Sequence, residues 1–137
     1  MLTVFITIDT ELLPHTPDWR ETGLEHDFRR DIEGRTVDGD FGIAYQIEVL
    51  NHYGLKAVFF VESLFASVAG LDLLQKIVDM IQRGGHEVQV HTHTEWLRFM
   101  PDVVRTGQHL RLFSVDEQAA WIARSLDNLR ACGVTAP

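Results

Sequence analysis

Cysteine, long apolar runs and clustered positive charge are what this sequence has least of. Its single cysteine, Cys132, excludes an internal disulfide. A small buried apolar side chain is the better reading of it than a nucleophile. No apolar run approaches the roughly 20 residues that a membrane-spanning helix needs. The apolar start, residues 1–8, has no positive leading region and no small-residue cleavage site, and Asp9 interrupts it, so it reads as a core strand and not an export signal. The cytoplasm is the expected location. Lysine and arginine number 12 against 20 aspartates and glutamates, a formal net charge of -8. That balance argues against nucleic acid, whose phosphates call for clustered Lys and Arg, and against an anionic membrane surface. Neutral or cationic substrates suit it better. There is no internal repeat and no low-complexity tract.

What is present fits one soluble globular domain: 137 residues, 45% hydrophobic and 23% charged. Residues 2–9 alternate, with Leu2, Val4, Ile6 and Ile8 on one face and Thr3, Phe5, Thr7 and Asp9 on the other, which predicts a first strand. Residues 12–39 are rich in charge, carry Pro14, Pro17, Gly23, Gly34 and Gly39, and show no period; they read as a long loop of the kind that is functional or mobile. Asp40 is a candidate cap for a helix over 41–53, whose stripe is Ile43, Ile47 and Leu50 and whose stop is Gly54. Residues 56–61 (KAVFFV) predict a short buried strand, and 71–83 a second helix with the stripe Leu74, Ile77, Val78 and Ile81, stopped at Gly84 and Gly85. A third strand follows over 86–91. Ser114 and Glu117 form a capping box that opens a third helix, ended by Gly133, after which Val134 is placed to start a fourth strand.

Strands alternating with helices imply a parallel sheet with crossover connections. Sites in such folds lie beyond the C-terminal ends of the strands, and two of those ends carry acids and histidines. The first is Thr7-Ile8-Asp9-Thr10-Glu11, where alternation puts Asp9 and Glu11 on the face opposite the aliphatic row. An acid there serves as metal ligand or general base, or else as an ordinary turn or cap acid. The second is the run from Gly85 to Trp96, with His91, His93 and Glu95. An extended chain brings His91 and His93 to one face. A helical bend brings His91 and Glu95 together. Either pair suits a divalent metal such as zinc, and the competing reading is a polar strand end with solvated histidines. His15, His26, His52 and His109 read as surface histidines. Trp19, Trp96 and Phe99 flank the predicted mouth and are candidates for stacking on sugar rings, whereas Trp121 reads as core. Asp31, Arg35 and Asp40 read as solvated charges in preference to parts of a substrate lid.

The sequence Thr7-x-Asp9, then KAVFFV, then Gly85-His86-Glu87-Val88-x-x-His91-Thr92-x-x-Glu95 resembles the polysaccharide deacetylases, the NodB-homology domains of carbohydrate esterase family 4, over nearly the whole chain. The resemblance implies an α/β fold, the N-terminal part of a distorted (β/α)7-type barrel with parallel strands; the competing fold is a small doubly wound sheet of flavodoxin type. It implies that Asp9 is the catalytic base and His91 a metal ligand. Two positions depart. Thr10 stands where the family has a metal-binding Asp, and Glu95 stands where it has a second His. Glu11 is placed to supply the missing carboxylate, and Glu95 the second ligand, with His93 as the alternative. The implied cofactor is zinc. The implied chemistry is metal-assisted hydrolysis of an amide on an acetylated carbohydrate, with Trp96 and Trp19 as substrate contacts. Other readings are a metal-free carbohydrate-binding relic of the fold and a magnesium-dependent phosphoryl-transfer enzyme using Asp9 and Glu11. The family's later motifs, an Arg that orients the base and a His that protonates the leaving amine, do not occur in these 137 residues. The expectation is therefore a partial domain, without turnover of its own, that a C-terminal half would complete.

Overall fold

A computed structural model describes residues 2–15, 19–107 and 109–137, and only the backbone of Thr22. Pro17 and the first residue of the 1–8 stretch, both referred to above, lie outside the described residues. The elements run β1 (Thr7–Thr10), α1 (Leu24–Asp31), β2 (Arg35–Thr36), β3 (Gly39–Asp40), α2 (Ile43–His52), β4 (Val58–Glu62), α3 (Ala66–Ala69), α4 (Asp72–Arg83), β5 (Glu87–His91) and α5 (Val115–Ala131). The fold is α/β. Its main sheet has three parallel strands in the order β1-β4-β5, and β2 and β3 form a separate antiparallel hairpin.

The sheet has unlike faces because its strands alternate. Register aligns Ile8 with Phe59 and Val88, and Thr10 with Val61 and Val90. Phe59, Val61 and Val88 are buried, and they share one core cluster with Ile43, Ile47 and Leu50 of α2, with Leu74, Ile77, Val78 and Ile81 of α4, and with Leu129 of α5. The opposite face carries Asp9, Phe60 and Gln89 in register, none of them buried. Strand β1 is an edge, and the strands follow each other in chain order, as right-handed crossovers laid on one face produce. No helix among the described residues is long and apolar enough to cross a membrane.

The two helix stripes expected from the sequence are those buried, and Cys132 is buried in the core. The capping box forms: the Ser114 side chain accepts from the Glu117 N–H, and Glu117 accepts from the Ser114 N–H at 2.7 Å. Four expectations are corrected. The first strand is shorter than residues 2–9, because its pairing with β4 begins at Thr7 and leaves Leu2, Val4 and Phe5 exposed. Residues 12–39 are not one loop but hold α1 and the β2–β3 hairpin; α1 buries only Asp27 and Phe28, too little to register as a stripe. Asp40 does not cap α2. It meets Arg35 at 3.0 Å across the hairpin, and the N-cap of α2 is Gly42, where an added Cβ would lie 2.0 Å from the Ile32 carbonyl oxygen. Val134 starts no strand, because its N–H bonds to Leu129 O at 3.1 Å and closes the end of α5.

Candidate metal centre

Register fixes where the functional side chains fall. Position 10 pairs with Val61, and Val61 with Val90, so the next row along the polar face is Glu11, Glu62 and His91 at the C-terminal rim. Thr10 belongs to the covered face and is buried, so no ligand can be offered from it; the carboxylate on the site's side is Glu11. After His91 the chain leaves the strand but stays extended for two residues, then turns into a short 3-10 helix over Glu95–Phe99. His91 and His93 therefore end side by side, with ring centroids 4.8 Å apart.

A single oxygen, Glu11 Oε1, lies 2.9 Å from His91 Nε2 and 3.1 Å from His93 Nε2. These three residues, each half-buried, place their ligand atoms within 4.8 Å of one another and form a group able to hold a metal ion. For a tetrahedral site with bonds of about 2.0 Å, ligand atoms sit roughly 3.3 Å apart. The two separations from Glu11 lie close to that. Two imidazoles and one carboxylate, with a further position open, is a donor set of catalytic zinc sites. Glu95 is not part of the group. Its Oε2 lies 3.1 Å from His93 Nδ1, behind the ring, where it accepts a hydrogen bond and fixes which nitrogen faces Glu11. The sequence offered Glu95 as the ligand and His93 as the alternative; the group that converges contains His93, because the chain after His91 runs extended and does not bend helically.

Asp9 is exposed on the same face, one alternation back from Glu11, and is not a member of the ligand group. Glu62, which the sequence reading passed over by ending the strand at Val61, is fully buried beside this rim. It accepts from Leu64 N–H at 2.7 Å and Phe65 N–H at 3.4 Å. Burial pushes its carboxyl well above the ordinary carboxylate range, against the pull of those two hydrogen bonds, and the nearby Glu95 and Glu11 push the same way. An acid terminating an otherwise apolar strand was the available signal.

Trp96 and Trp19 do not present themselves for stacking on a sugar. Trp96 is wholly buried and Trp19 nearly so, packed edge-to-face at 5.2 Å. Phe99 completes their cluster, 5.1 Å from Trp19. The Trp96 indole N–H donates to Leu12 O at 2.7 Å, and Arg98 donates to Pro14 O at 2.8 Å. These bonds tie the segment carrying Glu11 to the one carrying Glu95, so Trp96 holds the two halves of the site together from beneath. Trp121 packs partly buried against a second cluster of Leu64, Leu97, Met100 and Phe113. Among the histidines read as surface, His15 lies 3.7 Å from Asp31 and His26 3.8 Å from Asp27. His109 is exposed but lines a cavity together with His93.

Comparison with protein-family models, with curated proteins and with solved structures finds no significant match to this chain.

Proposed function

We propose that this chain carries the metal and base of a metal-dependent amidohydrolase that removes N-acetyl groups from a polysaccharide or related acetylated sugar. The observation that carries the reading is the convergence of Glu11, His91 and His93, from opposite edges of a parallel sheet, at its C-terminal rim. The motif resemblance, with Asp9 at the end of β1, supplies the reaction class. Glu11, His91 and His93 would hold zinc. Zinc, when bound, polarises an amide carbonyl and lowers the pKa of water toward about 7. Asp9 accepts the proton of the attacking water. Glu95 keeps the His93 Nδ1 proton in place, so that Nε2 remains free to bind metal. The sequential strand order and the one-sided helical cover support reading the sheet as the N-terminal part of a distorted β/α barrel. Two imidazoles in the donor set favour zinc over magnesium, which prefers oxygen ligands, and so favour amide hydrolysis over phosphoryl transfer.

Metal content and the spectrum of the cobalt-substituted protein test this. Stoichiometric zinc or cobalt is expected, with visible bands that shift on adding an N-acetylated chitooligosaccharide and do not shift with a phosphomonoester. Magnesium-dependent hydrolysis of the phosphomonoester would replace this reading with phosphoryl transfer. Binding of the oligosaccharide by a protein that takes up no metal would leave the carbohydrate-binding relic.

A further inference from the structure

Beside the metal centre lies a cavity of about 500 Å³, walled by Thr92, His93 and Thr94 on one side and His109, Leu110 and Arg111 on the other. That volume falls in the range of small-molecule sites, roughly 300–1,000 Å³. Its far wall is fastened in place. Buried Thr94 donates from Oγ1 to Gly107 O at 2.6 Å, and Arg105 donates to Leu112 O at 3.0 Å. Gly107 packs closely enough that an added Cβ would lie 3.0 Å from Leu112 Cδ1. A tether thus precedes the 109–111 segment, and another closes behind it.

The chemistry of the wall is one-sided. Among the described residues no carboxylate lines the cavity, although Glu11 and Glu95 each lie 3.1 Å from a ring nitrogen of His93 and the chain carries a net charge of -8. Every other arginine meets a carboxylate, a backbone carbonyl or an aromatic ring. Arg111 meets none of these among the described residues. Its guanidinium, a fixed fork of donors suited to a planar oxyanion, is left at a cavity that shares His93 with the metal group. His109 stands beside it as a second donor.

We propose that this cavity binds an oxyanion of the substrate, so that the sugar processed at the metal centre is an acidic one, bearing a carboxylate or sulfate that pairs with Arg111. The anion site rests on the cavity alone; only the neighbouring N-acetyl group rests on the amidohydrolase reading. Isothermal titration of the protein with three sugars tests it: N-acetylglucosamine, its 6-sulfate and N-acetylmuramic acid. The two acidic sugars are expected to separate, with at least one binding tenfold or more tighter than the neutral parent, and the stronger identifying the anion. Arg111→Gln, at an exposed position, should abolish that preference while zinc content stays unchanged. Equal affinity for all three sugars, or an acid preference that survives Arg111→Gln, overturns the proposal. The de-N-acetylated counterpart of whichever acid binds more tightly, glucosamine 6-sulfate or muramic acid, has no amide and separates the two readings. If the amidohydrolase reading alone fails, this sugar still binds in an Arg111-dependent way; if the anion site fails, zinc and the N-acetyl response remain and that binding is absent.

Discussion

At the scale of single residues, the site divides side chains that bind a cation from those that aim them. Glu11 Oε1 faces both histidines, while Glu95 touches only the back of His93. Loss of a ligand and loss of an aiming group should then differ in size. Glu11→Ala or His91→Ala is expected to abolish stoichiometric zinc binding. Glu95→Gln, which retains shape but loses the charge, should weaken it by roughly 10–100-fold, read by competition with a chromophoric chelator. Equal losses in Glu95→Gln and His91→Ala would make Glu95 a ligand after all. Glu62 poses a different question. Its folded carboxyl binds a proton more tightly than the unfolded one, so its contribution to stability is full below the unfolded value near ~4.3 and is lost as pH rises through the folded value. Glu62→Gln keeps an acceptor for Leu64 N–H and removes the charge. In zinc-free protein the variant should melt higher than wild type at pH 8, with the difference shrinking toward pH 4; a constant difference across that span would contradict a pH-dependent cost.

At the scale of elements, two of the devices that hold the fold can be removed one at a time. The capping box of α5 satisfies two N-terminal donors, and Ser114→Ala should cost about 1 kcal/mol, a fall of a few degrees in melting temperature. A loss in Glu117→Ala of similar size would show that the box acts as a reciprocal pair. Trp96→Phe removes the indole N–H that reaches Leu12 O from a wholly buried position, leaves that carbonyl unpaired, and should cost about 1–3 kcal/mol. It should also weaken zinc binding, since Glu11 adjoins Leu12. This level is where the sequence was most and least legible. Helices α2 and α4 announce themselves by apolar spacing and a following glycine, and α5 by its capping box and Gly133, all of them local properties. Helix α1 and the hairpin within 12–39 do not, since the contacts that select them, such as Asp27 accepting from His15 N–H at 3.1 Å, come from elsewhere in the chain. Residues 2–6 alternate like a strand, yet alternation says only which face each side chain would take, not whether a neighbour exists to pair with. Spacing likewise put Trp19 and Trp96 near the mouth without telling whether they face solvent or core. It brought His91, His93 and Glu95 into one short run, and only the backbone path after His91 decides which pair converges.

At the scale of the whole molecule, the candidate ligands cross the sheet. Glu11 follows edge strand β1, while His91 ends β5 and His93 follows it on the other side of β4, 80 residues apart in sequence for the Glu11–His91 pair. An unfolded chain would have to close that loop before it could offer the same three donors, so a metal binding there binds the folded state far better than the unfolded one. By linkage, zinc at 100 times its dissociation constant should then add about 2.7 kcal/mol of stability. For a domain of this size that is roughly 10 °C in melting temperature. Differential scanning fluorimetry with and without zinc reads the shift. His91→Ala should erase it while leaving the zinc-free melting point within about 1 kcal/mol of wild type, because a half-buried strand-end side chain packs against little. Zinc bound instead by scattered surface histidines, which remain available in the unfolded chain, would leave the melting temperature nearly unmoved. A zinc-dependent rise that persists in His91→Ala would locate the metal elsewhere and remove the foundation of the amidohydrolase reading.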